Sequence, residues 1–425
     1  MLLITGFHLI AFSQQSASCL SESIVFSRQG KIDSFSIAHH GCTSIIGNVK
    51  ISGPAITNLS GLKNIKTIGG NFTIENNINL TSFGTLALDS LMGNLIIAFN
   101  ANLVDCSGLD ELLYIKGDFH ISRNATMEDL AGLDALQVIG GDLNISYNIA
   151  LKNISGMTSL VVIHGDFKLS GNNALKRMLG LQSLEGIAGN VLLDVNYSLP
   201  NISELKRLKT IGGKMTVVGN SALIDFTGLH ALTFLGGDLS ISNNIELTSL
   251  DGLDSLHILQ GALLIFNNSK LTDLRGLDHV NQDTLQNVVI ENSIALSDCA
   301  TQSICKYLAS NKPAQISNNA FGCNSMEEVF NACQFSANDS RNENNIILYP
   351  DPASGIIYIK GNTSGIVSIT ITSIQGHHQK NWGHPKKLLD LSELPDGLYI
   401  LKIKMKGTVQ VKRIVKEQSK ITIHS

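Results

Sequence analysis

Apolar and polar residues alternate in short bursts that return every 24 residues along most of the chain. In the stretch 228–251, Leu239 and Ile241 alternate with Ser240 and Ser242, a period of two that specifies a strand. Gly236-Gly237-Asp238 just before it is a turn signal. Leu247, Leu250 and Leu253 then recur at every third residue, which suits a coil with corners and is too short for a helix in each repeat. Gly70, Gly93, Gly117, Gly141, Gly165, Gly189, Gly213, Gly237 and Gly261 mark the period, spaced by 23 once and by 24 thereafter. Gly108, Gly132, Gly156, Gly180, Gly228, Gly252 and Gly276 keep the same grid, with Glu204 in the one slot that is not glycine. Two markers in one phase define stacked supersecondary units.

At about 3.3 Å per extended residue, one repeat makes a single turn of a roughly triangular coil. A lone coil cannot bury its apolar side, but coils stacked in parallel share one core. The expected fold is mainly β: a right-handed parallel β-helix or leucine-rich-repeat-like solenoid of about ten 24-residue coils over 51–298. Both ends of such a stack expose an apolar layer and need caps, expected at 16–50 and 299–335.

Asn77, Asn100, Asn124, Asn148, Asn172, Asn196, Asn220, Asn244 and Asn268 sit on the same grid. The row reads as structural: Asn tolerates the left-handed conformation and bonds backbone at tight turns. Stacked amides also satisfy one another as a ladder. The turn acids Asp118, Asp142, Asp166 and Asp238 share a position with Asn71, Asn94 and Asn190, but Lys214 and Ala262 interrupt the row. No metal site is expected from it. Cys106 falls in the slot of Leu250, which makes it a buried small hydrophobe rather than a nucleophile.

The remaining strand positions point outward: Thr73/Glu75, Ile96/Ala98, His120/Ser122, Asn144/Ser146, Lys168/Ser170, Leu192/Asp194, Thr216/Val218, Ser240/Ser242 and Leu264/Phe266. The period fixes the inward residues and leaves these free to vary. Candidate ligand contacts are Ile96, His120, Asn144, Lys168, Leu192, Val218, Leu264 and Phe266. His120 and Lys168 flank Asn144, the nearest approach to a catalytic constellation, yet neither a carboxylate base nor an Arg clamp stands beside them. No enzyme activity and no cofactor are expected. The alternatives are a β-helix carbohydrate-active enzyme and a surface spacer that binds nothing.

After a polar linker at 336–345 the pattern changes. Short strands are expected at 346–349, 356–359, 367–371, 388–391, 398–403 and 409–415, separated by Gly, Pro and Asn turns. They suggest a small antiparallel β-sandwich over 346–425. Charge divides the chain at the same place. Residues 345–425 hold eleven Lys/Arg against five Asp/Glu, and the rest holds twenty against thirty. The net charge of −4 argues against a nucleic-acid partner.

Leu2 to Phe12 is a short apolar run followed by small and polar residues, and Ala11-Phe12-Ser13 is a small-x-small pattern. Residues 1–15 are expected to be a signal peptide, although no Lys or Arg precedes Arg28. The run is too short to span a bilayer, so no transmembrane segment is expected. Of seven cysteines, Cys19 and Cys42 precede the repeats, while Cys299, Cys305, Cys323 and Cys333 follow them. Even-numbered groups at each end fit disulfides of an exported protein. A bond from Cys19 to Cys42 would staple the first cap; the last four allow three connectivities.

The repeated phrase GL..L..IGGDL.I..N..L..L resembles the receptor L-domain, the leucine-rich-repeat-like β-helix of insulin- and EGF-type receptor ectodomains. The resemblance runs from about Gly47 to Cys333 and includes the cap LSDCATQSICKYL…NNAFGCNSMEEVFNAC. Receptor L-domains bind polypeptide ligands, so the resemblance implies binding; the function expected is a secreted or surface binding or adhesion protein whose solenoid face meets an extracellular protein or glycan. LYPDPASGIIYI, ITSIQGHHQ and LSELPDGLYILKIKMKGTVQVKRIVK resemble the C-terminal sorting domain of the type IX secretion system of Bacteroidota, with Asp351 where Asn is usual. That resemblance implies the type IX machinery as a partner, periplasmic transit, and a final location outside the cell or on the outer-membrane surface.

Overall fold

The computed structural model describes residues 18–338 and, of 346–417, all but 350–352, 354, 361–362, 364, 375, 377–378, 384–386 and 406–407. The expected signal peptide and most of the expected linker lie outside the described residues. The chain divides into two units, Met1–Phe330 and Asn331–Ser425.

In the first unit each repeat supplies a two-residue strand and a longer strand. The short strands form an eleven-stranded sheet and the long ones a thirteen-stranded sheet, both in simple chain order. All pairings are parallel; Leu239 and Ile241 face Met215 and Val217 on one side and Leu263 and Ile265 on the other. The inward column Phe72, Leu95, Phe119, Leu143, Phe167, Val191, Met215, Leu239 and Leu263 is buried. The third side of the coil has no strand, and its Leu247, Leu250, Leu253 and Leu256 fill the centre.

Each sheet has more strands than the ten expected coils because the caps join them. Ser18–Leu20 and Ile24–Phe26 pair with Ser44–Ile45 and Val49–Ile51, and Ala314–Ser317 adds to Asn287–Glu291. Helix α1 (Gln29–Ala38) covers the first layer with Ile32 and Phe35, the latter edge-on to Phe26. The Cys19–Cys42 disulfide ties this cap, and Cys299–Cys323 ties the other. Cys305 and Cys333 are disulfide-bonded as well. Helix α2 (Gln302–Ala309) opens on Thr301, whose Oγ1 accepts the Ile304 N–H. Helix α3 (Met326–Asn338) takes in the first residues of the expected linker.

The glycine slots are steric. A Cβ on Gly132, where φ is +99°, would lie 2.5 Å from the Cys106 carbonyl oxygen of the coil below. At Glu204 a side chain stands in this slot, within the 3-10 turn Ser203–Leu205.

The Asn row is an internal ladder, and nearly every member is fully buried. Asn124 donates its N–H and its Nδ2–H to Asn148 Oδ1 (3.0 and 3.2 Å), and Nδ2 also donates to the Ile97 carbonyl (3.0 Å). The ladder begins at Gly53 N–H on Asn77 Oδ1; past the last Asn of the row it runs from Asn268 N–H to Ser293 Oγ and on from Ser293 N–H to Asn319 Oδ1. The row itself is not left-handed, contrary to the expectation from its residue type. The left-handed residue is the one before each ladder Asn: Asn76, Phe99, Arg123, Tyr147, Gly171, Val195, Gly219, Asn243 and Asn267. The Asn itself stays where its amide can reach both neighbouring coils. The turn acids form a second ladder of opposite sense. Asp118 Oδ1 accepts the Asp142 N–H and Asp142 Oδ1 accepts the Asp166 N–H (2.9 and 2.7 Å).

In the second unit Ile347–Tyr349, Ile356–Lys360 and Leu388–Asp390 make a three-stranded antiparallel sheet. Gln379–Gly383, Ile366–Ser373, Gly397–Met405 and Thr408–Lys416 make a four-stranded one in that order. Ile357, Ile359 and Leu389 of the first sheet share a core with Ile369, Ile371, Leu401, Ile403 and Ile414 of the second. The buried Lys416 ammonium meets Asp396 Oδ1 at 3.3 Å.

Candidate ligand-binding face

The outer column of the thirteen-stranded sheet runs Lys50, Thr73, Ile96, His120, Asn144, Lys168, Leu192, Thr216, Ser240, Leu264, Val289 and Gln315, each paired with the next. Strands about 4.8 Å apart crowd their side chains. Ile96, His120, Asn144, Lys168, Leu192 and Leu264 of this column are therefore half-buried. Val218 and Phe266, also half-buried, belong to a second column with Glu75 and Asp194. That column is only partly outward. Its small members Ala98, Ser122, Ser146 and Ser170 are buried, because they are too short to reach past the bulkier neighbouring column.

The structure brings His120 and Asn144 together, with Asn144 Nδ2 2.9 Å from His120 Nε2. Ser146 Oγ donates to Asn144 Oδ1, which holds the amide in that orientation. Burial lowers the His120 pKa from the ordinary imidazole value; Lys168 lowers it further, while Asp118 and Asp142 oppose the shift. The shift favours the neutral imidazole, whose Nε2 can accept from Asn144 Nδ2. Lys168 has no hydrogen-bond or ion-pair partner among the described residues. The carboxylates of the neighbouring column are engaged: Glu75 with Lys50 at 2.7 Å and Asp194 with Ser170 Oγ at 3.0 Å. Among the described residues no group of three His, Cys, Asp or Glu is placed to hold a metal ion. Leu192 and Val218 lie on later coils than His120, and the Leu264/Phe266 pair is separated from them by Ser240 and Ser242.

Two features escaped the sequence reading. At the corner after the strand, the Arg123 guanidinium lies between the rings of Phe99 and Tyr147, 5.2 and 5.4 Å from their centroids. The signal was present: all three occupy the grid position just before the Asn row. The second is an open cavity of about 290 Å³ beyond Ile258–Leu259, where the short-strand sheet ends. It is lined by His257, Asp278, His279, Gln302 and Lys306, and the two imidazoles stack 6.0 Å apart.

Residues 347–417 match the family model of the secretion system C-terminal sorting domain. No curated protein matches the chain. The fold and this tail together define a β-solenoid that is secreted or displayed on the cell surface. Among the described residues no helix is long and apolar enough to cross a membrane.

Proposed function

We propose that this is a binding or adhesion protein that the type IX secretion system carries out of the cell, where the solenoid presents its long-strand face to an extracellular protein or glycan. One observation carries the reading. The inward columns repeat from coil to coil, while the outer column changes at nearly every step although the fold makes no demand there. The likeness of the repeat to receptor L-domains points the same way, since those domains bind through their solenoid. The face is read as non-catalytic, because Glu75 and Asp194 are engaged and the two carboxylates that act on His120, Asp118 and Asp142, accept backbone N–H groups of the next coil. Protein and glycan arrays probed with the secreted chain test this. Binding should fall with Phe266→Ala and Leu264→Ser or with Lys168→Ala; binding indifferent to all three removes the face as the site.

A further inference from the structure

We propose that the Phe99–Arg123–Tyr147 corner is a docking point for a carboxylate-bearing segment of another polypeptide; this rests on the binding reading above and names its partner. The first argument is charge. Elsewhere on the stack, several cations pair with a carboxylate one coil away, as Lys152 does with Glu128 and Lys270 with Glu246. Arg123 has aromatic rings on both adjoining coils instead, and its guanidinium has no hydrogen-bond acceptor or ion-pair partner among the described residues. Its planar donor fork matches a carboxylate in two-point fashion.

The second argument is order. Stacking between two rings fixes a long side chain before any partner arrives, so less freedom is lost on binding. Arg and Tyr in such clusters are the residues that dominate protein interfaces. The third is backbone cost. Phe99, Arg123 and Tyr147 have φ of 57°, 54° and 58°, where most other coils place Asn or Gly. Only Val195 shares this choice of a residue ill-suited to the left-handed region. Each such residue costs about 1 kcal/mol or more, and such costs cluster at functional sites.

The same geometry favours a protein over a sugar chain. The Phe99 and Tyr147 faces towards Arg123 are covered by it, and the next coil lies against Tyr147: a Cβ on Gly171 would stand 2.7 Å from its Cδ1. Tyr147 therefore offers a partner its edge rather than an open face for a sugar to stack on. That edge and the neighbouring Ile149, 59% exposed, suit apolar side chains flanking the carboxylate.

The test uses the full secreted chain on an array of 15-residue peptides that combine Asp or Glu with apolar residues. Copies with Asn or Gln in place of the acids and a polygalacturonate surface complete the probe set. Acidic peptides should be retained and their amide copies should not. Arg123→Asn, which keeps and better suits the left-handed backbone, should weaken retention at least tenfold without lowering the thermal melt. Arg123→Lys should recover only part of it. Retention of polygalacturonate but no acidic peptide overturns the polypeptide assignment. Acidic-peptide binding that ignores Arg123→Asn but falls with Leu264→Ser overturns the corner and keeps the face. No retention of any probe overturns both.

Discussion

Glu204 of one coil holds Arg177 of the coil before it, with Arg177 Nε 3.2 Å from Glu204 Oε1. Both residues depart from the repeat. Glu204 stands in the glycine slot, and Arg177 stands where Asp105, Asp129, Asn153 and Asn201 accept the N–H two residues on. Glu204 Oε2 also takes the Met178 N–H at 3.4 Å. At the matching positions Cys106 and Phe226 donate to backbone carbonyls of the next coil, so the carboxylate replaces a main-chain acceptor. Glu204→Ala should cost about 1–3 kcal/mol by leaving the buried Met178 N–H unpaired. The pair Arg177→Asn with Glu204→Gly restores the pattern of the other coils and should regain most of that loss. A urea-melt double-mutant cycle checks it, and strictly additive losses would contradict the coupling.

Asn148→Ala should be more damaging than its size suggests. It removes the acceptor of the Asn124 N–H and amide and the donor to the Ile121 carbonyl, all buried. At about 1–3 kcal/mol per stranded group, a loss of at least ~2 kcal/mol is expected. Amide exchange should rise first in the coils on either side.

His120 sets a pH dependence of definite sign. Its folded pKa is below the ordinary value of 6.5, chiefly through burial, so the unfolded chain takes up the proton first as pH falls. The contribution to stability is present above that value and is lost as pH falls from 6.5 through the folded pKa. Lys168 is one cause of the lowering, so Lys168→Met should raise the midpoint seen by NMR titration of the His120 ring.

Cys106 should not react with thiol reagents in the folded protein. Burial pushes its thiol above the ordinary range, and Asp105 and Asp129 add to the shift. A disulfide reagent should label it only on unfolding, as one free thiol per chain beside the disulfide-bonded cysteines.

A chain lacking Asn345–Ser425 should keep the far-ultraviolet spectrum of the solenoid but remain within the cell envelope. Fractionation of cells and medium checks this, and normal appearance in the medium would refute the tail as the export signal.

The period, the strands and the inward face were legible in the sequence because each is a local constraint. Leu239 and Ile241 can share a face only in a strand, and Gly132 is glycine because a Cβ there has no room. The sorting tail was legible as a set of phrases. Contacts between coils were not. Whether a serine such as Ser170 is buried, whether Glu204 finds Arg177, and which residue turns left-handed depend on the bulk and register of neighbours 24 residues away. The Arg123 corner is of this kind, since its three members meet only after the coils have stacked. The sequence by itself determined the repeating layer and its destination. Tertiary structure decided which side chains are paired between layers and which remain open to a partner, because stacking alone brings them within reach.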